Sequence, residues 1–381
     1  MRRLIPLLAL LVIVAVGVPV GLVFAGGGED DASGNAKATE SGGGSKIDPD
    51  DFMDVTSPDS IPAIDEPKFV PPDEADVPKQ EPVLAIDVNG DRRAYPLRIM
   101  VWHEIVNDEV GGEPVAVTYC PLCNTGIAYR RPIVEGDPVR FNASGKLFRA
   151  NLVMFDRETG SLWPQITGEA VSGPLDGTKL EFLSVQILSF EDWKEANPDG
   201  QVLSEDTGFL RSYGKNPYGS YDNPMLRPSQ FGNEEDVDPR LEPKARILGV
   251  QEGNNFVAFP YDLLAKRAGD GWAAVNAEVG GRPVAVFWKP GTVSAVDQQV
   301  IVESRDVGAA VAFDPMVDGR RLTFRGGPDG VIDEETGSRW NLLGKAVEGP
   351  LEGTTLGSLQ AFDSFWFDWA AFHPDTKIFG R

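Results

Sequence analysis

The chain opens on a basic segment, Met1-Arg2-Arg3, followed by an uncharged apolar run from Leu4 to Ala25. A run of that length spans a bilayer as a helix, and the arginines before it keep its start cytoplasmic. Residues 1–25 are therefore expected to form a transmembrane anchor, or a signal peptide cleaved after "VFA". Residues 26–60 begin "GGGEDDASGNAKATESGGGSKIDPDD", which buries too little apolar surface to fold and predicts a flexible acidic linker. From about Ile61 the pattern changes to short alternating runs. "VLAIDVNGDRRAYPL" predicts strand, Asn-Gly turn, strand. "RIMVWHEIV" predicts a short helix, "EVGGEPVAVTY" a turn and an alternating strand, and "NTGIAYRR" a turn and a strand. "SFEDWKEANP" opens on a serine cap and ends at a proline, which predicts another short helix.

The same pattern comes twice. "VNDEVGGEPVAVTYCPLCNTGIAY" starts at Val106 and "VNAEVGGRPVAVFWKPGTVSAVD" at Val275, and the two align without a gap. "RRAYPLRIM" upstream parallels "FVAFPYDLL". Downstream, "DRETGSLWPQITGEAVSGPLDGTKL" parallels "DEETGSRWNLLGKAVEGPLEGTTL", and "FEDWKEANPDGQVL" parallels "FWFDWAAFHPDTKIF". Four matches in one order make the body a doubled unit. The expected fold is mainly β (β-rich α+β), with two tandem copies of a related unit packed together and a few short helices. The first repeat spans 61–205, a connecting segment 206–245, and a second, degenerate repeat 246–381. Residues shared by both copies, such as Asp156, Thr159, Gly160 and Trp163, are read as scaffold. Residues confined to the first copy are the better candidates for chemistry.

Abundant turn formers, 42 Gly and 30 Pro, agree with a β-rich body. The formal net charge of -23 repels phosphate backbones and argues against nucleic acid as a partner. Asp87, Asn89 and Asp91 resemble a calcium loop, but the glycine is misplaced and Arg98 stands at the closing position. No dinucleotide fingerprint, phosphate loop or serine nucleophile elbow is present.

The two cysteines of the chain are Cys120 and Cys123, in "YCPLC". In the second copy Lys289 and Thr292 take their places, Trp272 that of His103, and Pro290 keeps Pro121, so the turn is expected to survive without the thiols. A C-x-x-C pair closes a small disulfide ring or shares a metal ion. Positive charge favours the reactive thiolate, and Arg130 and Arg131 follow within one strand. As a passive staple so short a loop removes little unfolded-state entropy. Three readings stay open. One is an exported thiol oxidoreductase with Cys120 and Cys123 as attacking and resolving thiols and His103 as base, which requires no cofactor. Another is copper or zinc binding by Cys120, Cys123 and His103. The third is a non-catalytic envelope binding module with a structural disulfide. Asn142, Ser144, Arg149 and Asn151, with Arg130, are candidates to line a pocket beside the pair. The partner would be a redox or metal partner in the envelope. The chain would be held at the cell membrane by one N-terminal pass, or secreted if that segment is cleaved.

"HEIVNDEVGGEPVAVTYCPLCNTGIAY", "SGKLFRANLVMFDRETGSLWPQITGEAVSGPLDG" and "GFLRSYGKNPYGSYDN" resemble the domain-of-unknown-function family 3179, over most of residues 80 to 375. The resemblance implies an exported or membrane-anchored prokaryotic protein. Relatives with selenocysteine in the C-x-x-C region imply redox chemistry. Asn124 stands where the family is associated with glycine, a departure expected to alter the turn.

Overall fold

Strand, tight turn and strand open the first half, in a computed structural model that describes residues 47–223 and 237–381. Strands β1 (Pro82–Val88) and β2 (Asp91–Pro96) pair antiparallel about Asn89 and Gly90, whose φ angles of 54° and 86° are those of a type I′ turn. Helix α1 (Leu97–His103) follows. Next come β3 (Ile105–Val110), β4 (Glu113–Cys120) and β5 (Thr125–Arg130), paired as an antiparallel meander. Strands β6 (Phe141–Phe148), β7 (Asn151–Asp156) and β8 (Leu162–Pro164) form the next sheet, and β9 (Gln186–Ser189) returns to pair with β1. Helix α2 (Phe190–Ala196) starts where predicted, with Ser189 accepting the Asp192 N–H at 3.1 Å as its cap.

The second half repeats this order: β10 (Arg246–Glu252), β11 (Asn255–Pro260), α3 (Tyr261–Ala268), β12 (Ala273–Val279), β13 (Arg282–Lys289) and β14 (Ala309–Asp314). It closes with β15 (Phe324–Gly327), β16 (Gly330–Asp333), β17 (Arg339–Trp340), β18 (Ala361–Phe365), which pairs with β10, and α4 (Trp366–Phe372). The fold is β-rich, as expected, built of small sheets and four short α-helices among the described residues. The predicted anchor, residues 1–25, lies outside the described residues. No helix of the described residues is long and apolar enough to cross a membrane.

One shared device recurs at atomic detail. Asp156, fully buried, accepts from the Thr159 N–H at 2.6 Å, the Thr159 hydroxyl at 2.9 Å and the Trp163 indole at 2.9 Å. Asp333 does the same with Thr336 and Trp340, at the same three distances. Removing either carboxylate strands a buried indole N–H and a backbone N–H. Asp156→Ala and Asp333→Ala are therefore each expected to cost about 2–4 kcal/mol in urea unfolding. Losses below about 1 kcal/mol in either would refute this account of the two turns.

The gap-free match fails after β13. Past Lys289 the chain does not turn back at once, as it does after Cys120, but runs through residues 290–308 before β14 pairs with β13. The expectation that Pro290 preserves the turn is thus corrected. The reason is packing: Val293, Ala295, Val296 and Ile301 are buried in a core that includes Leu84, Val106 and Tyr119 of the first half.

The halves do not form separate bodies; the described residues are one compact unit. Tyr129, Phe141, Met154 and Trp163 of the first half share a core with Ile247, Phe362, Trp366 and Trp369 of the second. Reciprocally, Val83, Phe190 and Trp193 pack with Phe287, Phe313, Phe324 and Trp340. Each terminal helix thus lies on the strands of its own half and presents side chains to a core that both halves share. Gly249 makes room for α4, since a methyl there would strike the Trp369 ring at 2.5 Å.

Candidate functional site

Cys120 is the last residue of β4, and the tight turn to β5 brings Cys123 back over it. The Cys123 N–H donates to the Cys120 carbonyl at 3.2 Å. Asn124 then takes φ 55°, the left-handed region that asparagine enters more readily than most side chains. Its Oδ1 accepts the Tyr119 hydroxyl at 3.2 Å. Both thiols are free, and their sulfurs lie 2.8 Å apart. Under about 1 Å of movement brings them to the roughly 2.05 Å of a disulfide bond. Cys120 is 2% exposed and Cys123 is 0% exposed.

A second turn, between β6 and β7, is aimed at the pair. Arg149 and Ala150 are both left-handed, at φ 52° and 71°, which costs about 1–3 kcal/mol at a non-glycine residue. The result is that the Ala150 carbonyl faces the sulfurs, 3.2 Å from Cys123 Sγ and 3.8 Å from Cys120 Sγ. The next residue, Asn151, places Nδ2 3.5 Å from Cys123 Sγ.

The residue that sequence reasoning missed comes from the far end of the chain. Asp368, on α4, is fully buried against Cys123. Its carboxylate accepts from Asn151 Nδ2 at 3.2 Å, Thr125 Oγ1 at 3.3 Å and Ser364 Oγ at 3.1 Å. The Phe365 N–H also donates to the Cys123 carbonyl at 2.8 Å, tying the start of α4 to the cysteine turn. Burial pushes the Asp368 carboxyl up to about 6. Burial, then the Cys120 contact and the Asp368 charge, push the Cys123 thiol well above its ordinary value, so at neutral pH it keeps its proton.

Not every predicted residue joins this cluster. His103 is fully buried, but its ring is engaged elsewhere, with Nδ1 2.8 Å from the Pro62 carbonyl and Nε2 2.7 Å from the Tyr213 hydroxyl. Because a carbonyl only accepts, Nδ1 carries the proton and Nε2 accepts. Burial holds the ring neutral, pushed down to about 4. The trio Cys120, Cys123 and His103 is not assembled, and among the described residues no three His, Cys, Asp or Glu side chains are grouped to hold a metal ion.

The arginines do not supply the expected positive charge. Arg130 pairs with Glu181 at 3.5 Å and Glu113 at 3.9 Å, and Arg131 donates to the Asp108 and Val139 carbonyls. Asn142 donates to Asp59, Ser144 to the Val153 carbonyl, and Arg149 to the Ala371 carbonyl. Of the five candidate pocket residues, Asn151 alone is hydrogen-bonded to a sulfur. From the connecting segment, Tyr218 and Tyr221 pack against the core that contains both cysteines. The buried Tyr221 hydroxyl has no hydrogen-bond partner among the described residues.

A β-rich protein of many small sheets with a buried dithiol beside a buried carboxylate is the class these features define. The chain belongs to the family DUF3179, a protein of unknown function, whose model matches residues 58–376. No curated protein and no solved structure matches it.

Proposed function

We propose that Cys120 and Cys123 are a redox-active dithiol that exchanges electrons with a partner thiol or disulfide, on a chain tethered outside the cytoplasm. The observation that carries this reading is the placement of two free sulfurs 2.8 Å apart in one tight turn. Cys120 is the attacking sulfur, because it alone retains some exposure and Cys123 holds its proton. With Cys120 only 2% exposed, covering groups must move for a protein partner to reach it, so small disulfides react first.

The test is a titration of the full chain in glutathione and dithiothreitol couples, read by alkylation and mass. A dithiol that cycles is expected at a potential between about -270 and -120 mV. A value below about -300 mV marks a structural bridge and refutes the reading.

A further inference from the structure

We infer that Asp368, supplied by the second half of the chain, is the proton acceptor for Cys123 when the disulfide closes. The inference rests on the redox reading of the pair. Its basis is the cluster itself. Cys123 is sealed from solvent and must lose a proton before its sulfur can attack Cys120. A buried thiol cannot pass that proton to bulk water at low cost, and the carboxylate in contact with it can take it.

The groups that face Asp368 come from every element packed around it. They are Cys123 and Thr125 from the cysteine turn and β5, Asn151 from β7, and Ser364 from β18. Tyr221 of the connecting segment and the Cys120 sulfur complete the neighbourhood. The side chains that hydrogen-bond the carboxylate are all neutral.

The corresponding place in the other half shows what is unusual here. Asp192 precedes Trp193 on α2 as Asp368 precedes Trp369 on α4. Asp192 also crosses to the other half, where it meets Lys289, the counterpart of Cys120, with Nζ to Oδ1 at 2.5 Å. Lys289 Nζ sits in addition 5.0 Å from the centre of the Trp272 ring. One helix position therefore carries a carboxylate aimed at the opposite loop in both halves. In one the loop answers with a cation, and in the other with two thiols. A carboxylate without a cation, in contact with a thiol and pushed up to about 6 by burial, is matched to proton exchange near neutral pH.

The steps balance as follows. Cys120 gives up its proton to the departing partner sulfur as it attacks the other sulfur of a partner disulfide, forming a mixed disulfide and releasing one partner thiol. Asp368 takes the Cys123 proton, and the Cys123 thiolate attacks Cys120 Sγ. The Cys120–Cys123 bond forms, the mixed disulfide breaks, and the second partner thiolate leaves and receives the proton from Asp368. Two electrons pass from the cysteines to the partner.

The test is oxidation of the reduced full chain by oxidised glutathione, with the closing step resolved by acid quench and mass between pH 5 and 8.5. In the unaltered protein closure is expected to rise through an inflection near pH 6. Asp368→Asn is expected to slow closure about 100-fold at pH 7 and to abolish the inflection, and Asp368→Glu to restore part of both. If Asp368 acts only as a nearby negative charge, its removal lowers the Cys123 thiol and speeds closure, which overturns the inference. An unchanged profile overturns it too. Should Asp368→Asn fail to fold, Ser364→Ala removes one donor from the carboxylate and is expected to move the inflection to higher pH; no movement is again fatal. If the unaltered pair never closes across the glutathione series, the redox reading falls and the proton acceptor with it.

Discussion

Replacing Asp222 with asparagine is expected to cost the fold about 3–5 kcal/mol, the range for breaking one side of a buried ion pair. Asp222 is fully buried in the connecting segment, with Arg246 Nη2 at 2.7 Å, Arg305 Nη2 at 2.9 Å and the Ser294 hydroxyl at 2.7 Å. Arg246 is itself mostly buried and lies 5.2 Å over the Phe365 ring at the head of α4. Asparagine leaves that guanidinium without a counter-charge in the core. Burial pushes the Asp222 carboxyl up, but Arg246 and Arg305 outweigh it and hold it below its ordinary value. Its contribution is therefore complete at neutral pH and lost as pH falls through the depressed value. Urea unfolding measures the loss, and a change under 1 kcal/mol would refute the argument. The variant is also expected to react faster with iodoacetamide at Cys120, since the carboxylate's bonds to Arg246, Arg305 and Ser294 hold the segment that carries Tyr221.

The second large effect is a stability that falls as pH rises toward neutrality. Burial pushes Glu81, Glu104 and Asp363 up to about 7, and Asp368 to about 6. In the unfolded chain these groups titrate near 4. Their contribution is full below that value. Between about pH 4 and 7 the unfolded chain releases protons that the folded chain keeps, so stability declines, and above 7 these four groups add no further change. His103 and His373, pushed down to about 4 by burial, act the other way below about 6.5, but they are two against four. The melting temperature is expected to be higher at pH 5 than at pH 8 by more than about 5 °C. General repulsion among 58 acidic residues has the same sign but is screened by salt. A difference that vanishes in 0.5 M salt would assign the effect to the surface instead.

Much of the fold was legible because it is local. The Asn-Gly hairpin, the serine-capped helix and the alternating strands follow from neighbours in the chain. The cysteine turn was legible for the same reason. Asp368 was not, although its signal is present: the pair Asp-Trp stands at 192–193 and again at 368–369. Treating shared residues as scaffold set it aside. That filter presumes that each copy builds its own site, whereas the loop of one copy meets the helix of the other. His103 failed in the opposite way. It is close to the cysteines in sequence and unique to the first copy, yet from the last position of α1 its ring meets Pro62 and Tyr213. The run 290–308 read as a copy of the cysteine turn because its first residues match. Its buried Val296 and Ile301 show that it serves a core contributed by the first half.

The shared cores make the two halves depend on each other within one polypeptide. Cut between the halves, the first piece keeps Cys120 and Cys123 but loses Asp368, Ser364 and the Trp366–Trp369 face that covers them. The second piece keeps Asp368 but has no thiol for it to face. Neither fragment can report on the chemistry of the whole. The covalent link between them fixes their stoichiometry at one to one, and allows the two loops to differ while the helices that meet them stay alike.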